Sequence, residues 1–183
     1  MRTLIVSEFI SLDGVVDSPG GGDHPHAGWT FKDVEFDEAM YELKGREQVE
    51  AGALIMGRVS YDEFAPVWPT MEEFAEYNAM PKYVVSTTLS DPAWNNTSVL
   101  RSLDEVAALK EGEGGPILLA GSATLAQNLA AAGLVDRYHL LVFPVLLGGG
   151  KKLFADGEKT RLALVEHAAY SNGVQMAVYD VVR

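Results

Sequence analysis

The sequence predicts an α/β fold, built on a mainly parallel sheet with an antiparallel hairpin at the C-terminal end. Short apolar runs recur along the chain, each followed by a glycine or hydroxyl residue and then a helical pattern. They are Ala53-Leu54-Ile55-Met56, Tyr83-Val84-Val85 and Ile117-Leu118-Leu119-Ala120. Alternation of this kind marks a parallel sheet, because parallel neighbours need a crossover segment. The last two strand-like runs, Leu162 to Ala168 and Val174 to Val182, are joined by Ser171-Asn172-Gly173. Asn-Gly is a favoured hairpin turn, so this end is antiparallel. The chain has 183 residues, 48% hydrophobic and 22% charged, which suits one domain, 1–183, with a sizeable core.

The elements follow in order. Arg2 to Ile10 is β-rich and reads as the first strand. Ser11 to Lys32 holds five glycines, two prolines and two histidines, a long loop of the kind that is either functional or merely mobile. Phe36 to Val49 reads as an amphipathic helix, with Phe36, Met40, Leu43 and Glu47 at helical spacing. Ala53 to Met56 is a buried strand ending at Gly57, and Val59 to Phe64 begins a helix stopped by Pro66. Glu72 to Met80 is a further helical piece before Pro81. Tyr83 to Val85 and Ser98 to Leu100 are strands. Ser102 opens a helix with a capping box through Glu105. Ile117 to Ala120 is a buried strand, followed by a helix to Ala132 that Gly133 stops. Tyr138 to Val145 is a strand running into the turn Leu147-Gly148-Gly149-Gly150.

Composition excludes several functions. The net charge of −12 gives no global attraction to nucleic acid or anionic membranes, so an anionic ligand needs a local site. The absence of cysteine removes disulfides, thiolate metal sites and thiol nucleophiles, and fits a cytoplasmic protein. Glu8 interrupts the first apolar run, unlike a signal peptide. The uncharged stretch Pro116 to Val135 carries Gly121, Ser122, Gln127 and Asn128 and reads as strand plus helix, not a membrane span.

Ligands of open α/β sheets bind outside the carboxyl ends of the strands. Three strand ends offer phosphate contacts: Gly57, Arg58 and Ser60; Ser86 and Thr87; and Gly121, Ser122, Ala123 and Thr124. Helix N-termini present unpaired N–H groups to an anion, and a guanidinium matches phosphate oxygens. Each signal alone also fits a tight turn or a surface charge; the three together favour a phosphorylated ligand. Neither G-x-G-x-x-G nor a phosphate-binding G-x-x-x-x-G-K-[ST] occurs, and Ala-Gly-Ser-Ala-Thr is no nucleophile elbow. No metal site is expected: His24 and His26 flank Pro25 in a glycine-rich loop without a partner acid. His139 and His167 read as core or sheet-face residues. For acid–base chemistry the candidates are Asp13, at the end of the first strand, and the group Asp33, Glu35 and Asp37; an Asp-Gly turn and a helix N-terminus are the alternatives.

The ordered segments Ser11-Leu12-Asp13-Gly14, Met56-Gly57-Arg58-Val59-Ser60-Tyr61-Asp62, Ala120-Gly121-Ser122, Gly133-Leu134-Val135-Asp136 and Pro144-Val145-Leu146-Leu147-Gly148 together resemble one family. It is the dihydrofolate reductase-like superfamily, in particular small proteins related to the C-terminal reductase domain of riboflavin biosynthesis. The resemblance spans Arg2 to Val182. It implies a three-layer sandwich around an eight-stranded sheet, NADPH as cofactor, and hydride transfer to an unsaturated C=N or C=O bond of a small heterocyclic or sugar-derived substrate. It implies further that Gly57, Arg58 and Ser60 grip the adenosine phosphates, Ser86 and Thr87 lie near the 2′-phosphate, and Gly121 to Thr124 cradle the pyrophosphate. Asp13 would bind the substrate, Trp29 would wall the pocket, and the Pro144–Gly150 turn would close the substrate end at a homodimer contact. The chain departs from the pattern in two places. Val15-Val16 stand where the riboflavin reductases carry a basic residue, and Trp29 is followed by Thr30-Phe31-Lys32-Asp33 without an evident catalytic acid. A nucleotide-binding protein without efficient catalysis is the alternative, and a structural dimer a third.

Overall fold

The computed structural model describes all residues, 1–183. Eight strands form one sheet: β1 (Leu4–Ser11), β2 (Ala53–Gly57), β3 (Lys82–Val85), β4 (Thr97–Leu100), β5 (Ile117–Ala120), β6 (Arg137–Phe143), β7 (Arg161–Ala169) and β8 (Gln175–Val182). Their order is β4-β3-β2-β5-β1-β6-β8-β7. The first six pair in parallel, and β8 runs antiparallel to both β6 and β7. The inner strands β2 and β5 are short apolar runs because both their faces are covered.

Side-chain alternation along β1 sorts the two faces. Leu4, Val6 and Ile10 join a core with α5 (Leu103–Glu111) and α6 (Ala123–Ala131). Ile5 turns to the other face, where Leu54, Met56 and Leu118 meet Tyr61 of α3 (Arg58–Phe64) and Tyr77 of α4 (Ala75–Ala79). Beside them, Leu43 of α2 (Glu42–Glu50) packs with Trp29 of the short α1 (Trp29–Lys32) on Leu141, Phe143 and Met176. The result is a three-layer sandwich. No helix is long and apolar enough to cross a membrane, and the uncharged stretch divides into β5 and α6.

Local chemistry sets most boundaries. Ser102 Oγ accepts from Glu105 N at 3.3 Å, while the Glu105 carboxylate reaches past the cap to Arg101 N at 2.9 Å. Caps of this kind contribute about 1 kcal/mol. The helix expected from Phe36 starts later. Asp37 accepts from Ala39 N and from Ser171 Oγ, so the chain enters a 3₁₀ turn at Glu38 and leaves Phe36 outside, 76% exposed. The Asn-Gly hairpin is a three-residue loop: Gly173 N donates to Tyr170 O, Tyr170 N to Val174 O, and Gly173 alone has positive φ. Lys82, fully buried, donates to the carbonyls of Tyr77, Asn78 and Met80 and so caps the C-terminus of α4; burial lowers its pKa to about 8. His139 is buried on the sheet face, whereas His167 lies on the exposed strand β7.

Candidate functional site

The carboxyl ends of β4, β3, β2, β5 and β1 lie side by side, so the segments that follow them form one row. The three strand ends singled out from sequence are thus neighbours, an arrangement that their spacing in the chain does not disclose.

At the centre of the row, Gly57 N donates to Ser122 Oγ at 2.9 Å, and Ser122 Oγ donates to Ser60 Oγ at 2.6 Å. The β5–α6 turn needs its glycine. Gly121 has φ +67°, and a Cβ there would lie 3.1 Å from the Phe64 ring and 3.3 Å from Ser60 Oγ. Ser122 is also left-handed, at φ 67° and ψ 53°. These two residues swing the start of α6 outward, and the amides of Ala123, Thr124 and Leu125 find no acceptor in the chain. Free amides at the positive end of a nine-residue helix suit an anion. Ser60 is buried and its oxygen accepts from Ser122, so it shapes the turn.

Directly after Gly57, the Arg58 Nε–H is shared between the two oxygens of Asp62 at 2.9 and 2.8 Å. Its Nη1 points to Thr88 Oγ1 at 3.4 Å, beside the β3 end. Ser86 lies further in than its neighbours Thr87 and Thr88. It is buried, and its Oγ accepts from Leu89 N and Thr88 N, so it holds the loop while Thr87 and Thr88 face outward. Arg101, which follows β4, donates from Nη1 to Ser86 O at 2.8 Å. Two guanidiniums and two exposed hydroxyls therefore share one corner. Arg101 escaped the sequence reading, although the rule that selected Arg58, a cation directly after a strand, selects it too.

At the other end of the row, Asp13 accepts from Ser11 Oγ at 2.6 Å, Leu147 N at 3.1 Å and Gly148 N at 2.8 Å. The Ser11 hydroxyl and these amides pull its pKa down to about 2. Asp13 thereby ties the first loop to the Pro144–Gly150 turn. Val16 N to Lys151 O, Leu153 N to Gly14 O and His24 Nε2 on Gly149 O at 2.9 Å extend the tie. The Ser11–Lys32 loop is accordingly well anchored. Trp29 does not wall an opening: it is fully buried, its indole donates to Asp17 O, and its ring stands edge-on to Phe143 at 5.3 Å. Glu8, on the α5/α6 face of β1, is buried with Oε1 unpartnered, and burial raises its pKa to about 8.

The observed residues fit a dinucleotide along this edge: outward amides beside a glycine cradle for a pyrophosphate, and a two-arginine corner for a further phosphate. Comparisons with known proteins agree in fold. The uncharacterised protein YyaP of Bacillus subtilis is 28% identical over 191 residues, covering 97% of this chain and 94% of that protein. A candidate riboflavin biosynthesis protein from a Shewanella species superposes over 100% of both chains, with a TM-score of 0.78 at 21% identity. Dihydrofolate reductase from Enterococcus faecalis, solved as a complex with NADP(H) and RAB-propyl, gives a TM-score of 0.63 at 14% identity, covering 99% of this chain and 97% of that one. The architecture is dihydrofolate reductase-like. With the family model of the RibD C-terminal domain matching residues 2–176, the chain belongs to that family.

Proposed function

We propose that the protein is an NADPH-dependent reductase of a small heterocyclic or sugar-derived substrate. The observation that carries this reading is the unbroken row of Arg101, Thr87–Thr88, Arg58, Gly57 and Gly121–Thr124 along adjacent strand ends. When bound, the cofactor supplies the hydride. The chain supplies the rest. The amides of Ala123 and Thr124 receive the pyrophosphate, with Gly57 and Gly121 permitting close approach. Ser60 and Ser122 hold that turn; Arg58, Arg101 and Thr87 address the terminal phosphate, on a loop set by Ser86. Asp13 is a positioning residue that keeps the Pro144–Gly150 turn over the substrate end.

The same reading makes the protein a homodimer. β7 has no outer neighbour and leaves Leu164 and Val165 about half exposed, a template for pairing with a second copy.

Titration with NADPH tests the proposal. Trp68 stacks on Phe64, the ring against the Gly121 cradle, so its fluorescence should report binding. We expect quenching with Kd near about 10 µM, followed by NADPH oxidation with one member of a panel of pterins, flavin precursors and carbonyl compounds. No response up to about 500 µM would overturn the cofactor assignment. Binding without oxidation of any acceptor would leave a nucleotide-binding protein. Light scattering on the same sample checks the dimer, and a monomeric mass would remove it.

A further inference from the structure

On the α2 face of β1, one strand position from the row of strand ends, lies a second cluster that the cofactor does not use. Phe9 is half-buried, although its neighbours Glu8, Ile10 and Ser11 are buried, so part of its side chain reaches the surface. Tyr41 stands edge-on to Phe9 at 6.2 Å, and Phe36 stacks on Tyr41 at 5.6 Å while 76% exposed. Val145 and Leu147, half-buried, belong to the same apolar surface. So exposed a phenylalanine stacked on a partner ring marks a surface suited to a flat apolar ligand.

A cation lies over the Phe9 ring. Lys44 Nζ lies 4.9 Å from the centre of the Phe9 ring and donates to Ser7 Oγ. Glu47 backs it at 3.4 Å, and the carboxylate is itself fixed by Ser7 Oγ at 2.6 Å and His139 Nδ1 at 2.7 Å. The Lys44 side chain retains 17% exposure, against 3% for Glu47. Burial pushes the Glu47 carboxyl up, yet Lys44, His139 and Ser7 outweigh it and hold it below the usual range. Ser7 and Glu47 thus hold the ammonium in place, with donors left over after the bond to Ser7. Of the acids around it, Asp13 is engaged by Leu147 and Gly148, Asp37 by Ala39 and Ser171, and Glu47 Oε1 by Ser7 and His139, while Glu47 Oε2 meets only the ammonium and the buried Glu8 Oε1 has no hydrogen-bond partner.

We propose that Lys44, set by Ser7 and Glu47, anchors the substrate of this site, and that the substrate is a planar conjugated molecule carrying an anionic oxygen, its ring against Phe9 and Tyr41. The assignment rests on the reductase reading, since it places the hydride acceptor at the β1 end of the row. It gives that reading a substrate class: an aromatic or heterocyclic acid or enolate, as opposed to a cationic heterocycle.

A matched pair of probes tests it. 4-Nitrobenzoate and 4-nitrobenzamide share ring and shape and differ in charge. Their binding to the protein loaded with NADP⁺, which prevents turnover, is measured by calorimetry. We expect the acid to bind at least about tenfold more tightly than the amide. Lys44→Met should reduce that preference to about twofold or less, and Lys44→Arg should keep it, with the Kd for NADP⁺ changed by less than about twofold in both. Equal binding of acid and amide, binding of neither, or a preference that survives in Lys44→Met would overturn the proposal. Failure of NADP⁺ to bind would sink the reductase reading instead. The probe pair is then applied to the protein alone, where the same preference and the same loss in Lys44→Met still decide the Lys44 site. The Lys44→Arg variant guards against a folding defect, since it keeps the charge that Glu47 needs.

Discussion

Arg58 and Arg101 face a problem that the whole chain creates. A protein of net charge −12 repels an anion carrying several phosphate charges, so the attraction must come from groups close to it. Arg58 is half-committed to Asp62, an exposed pair contributing only about 0.3–0.5 kcal/mol, and is readily redirected. Arg101 is held by the Ser86 carbonyl on the same loop, with the rest of its guanidinium free to bind. Both side chains belong to the corner that would meet the extra phosphate of NADPH. We therefore expect Arg58→Ala and Arg101→Ala each to weaken NADPH by about tenfold and NADH by about twofold or less, read from fluorescence titrations with both nucleotides. Equal losses for the two nucleotides would place both arginines elsewhere on the ligand. Higher ionic strength should narrow the NADPH–NADH difference, because the corner is solvent-facing.

At the scale of elements, the first loop and the Pro144–Gly150 turn behave as one unit because Asp13 joins them. Asp13→Asn replaces one accepting oxygen with an amide NH2 that faces donors, so one of the bonds from Ser11, Leu147 or Gly148 must break. We expect a stability loss of about 1 kcal/mol and faster proteolysis within 145–151, with turnover falling more than NADPH affinity. An unaltered cleavage pattern would count against the tie. The folded pKa of about 2 lies below the ordinary 3.8, so the contribution of Asp13 is present above about pH 4 and fades as pH falls towards 2. Elements of this kind were partly legible in the sequence. β2, β3 and β5 announced themselves because buried parallel strands are short apolar runs ended by glycine or hydroxyls, and Ser102 with Glu105 marked the start of α5. The late start of α2 was hidden, because it depends on Ser171, more than a hundred residues away, holding Asp37. Ser60, Ser86 and Trp29 were identified as part of the site, but their burial was not visible: a hydroxyl that shapes a turn and one that meets a ligand look alike in sequence. Arg101 and Lys44 were missed because nothing local separates them from surface charges; each gains meaning only from the strand or ring beside it.

Across the whole molecule, one residue sets how stability should follow pH between the ordinary carboxyl range and about pH 8. β1 lies between β5 and β6, and Glu8 projects from it among Val6, Ile10 and, across the ladder, Leu140. Its Oε1 has no partner, and burial raises its pKa to about 8, with Lys44 opposing the shift and Glu47 adding to it. The sign follows directly. Below the ordinary value of 4.5, folded and unfolded chains both hold the proton, and Glu8 costs nothing through ionisation. Above it the unfolded chain releases the proton while the fold keeps it, so stability declines as pH rises towards about 8 and then levels. The lowered carboxyls of Asp13, Glu47 and Asp136 act on the acid side, below their ordinary values of 3.8 and 4.5, and do not mask this window. We expect the unfolding free energy from urea titrations to fall by roughly 2 kcal/mol or more between pH 5 and pH 8 in the native sequence, and to stay nearly level in Glu8→Gln. The two proteins should therefore be closest in stability in acid and diverge in favour of the variant in base. A native sequence without that slope would mean that Glu8 is ionised inside the sheet, and Lys44, whose charge already opposes its protonation, would be the cation that sustains it.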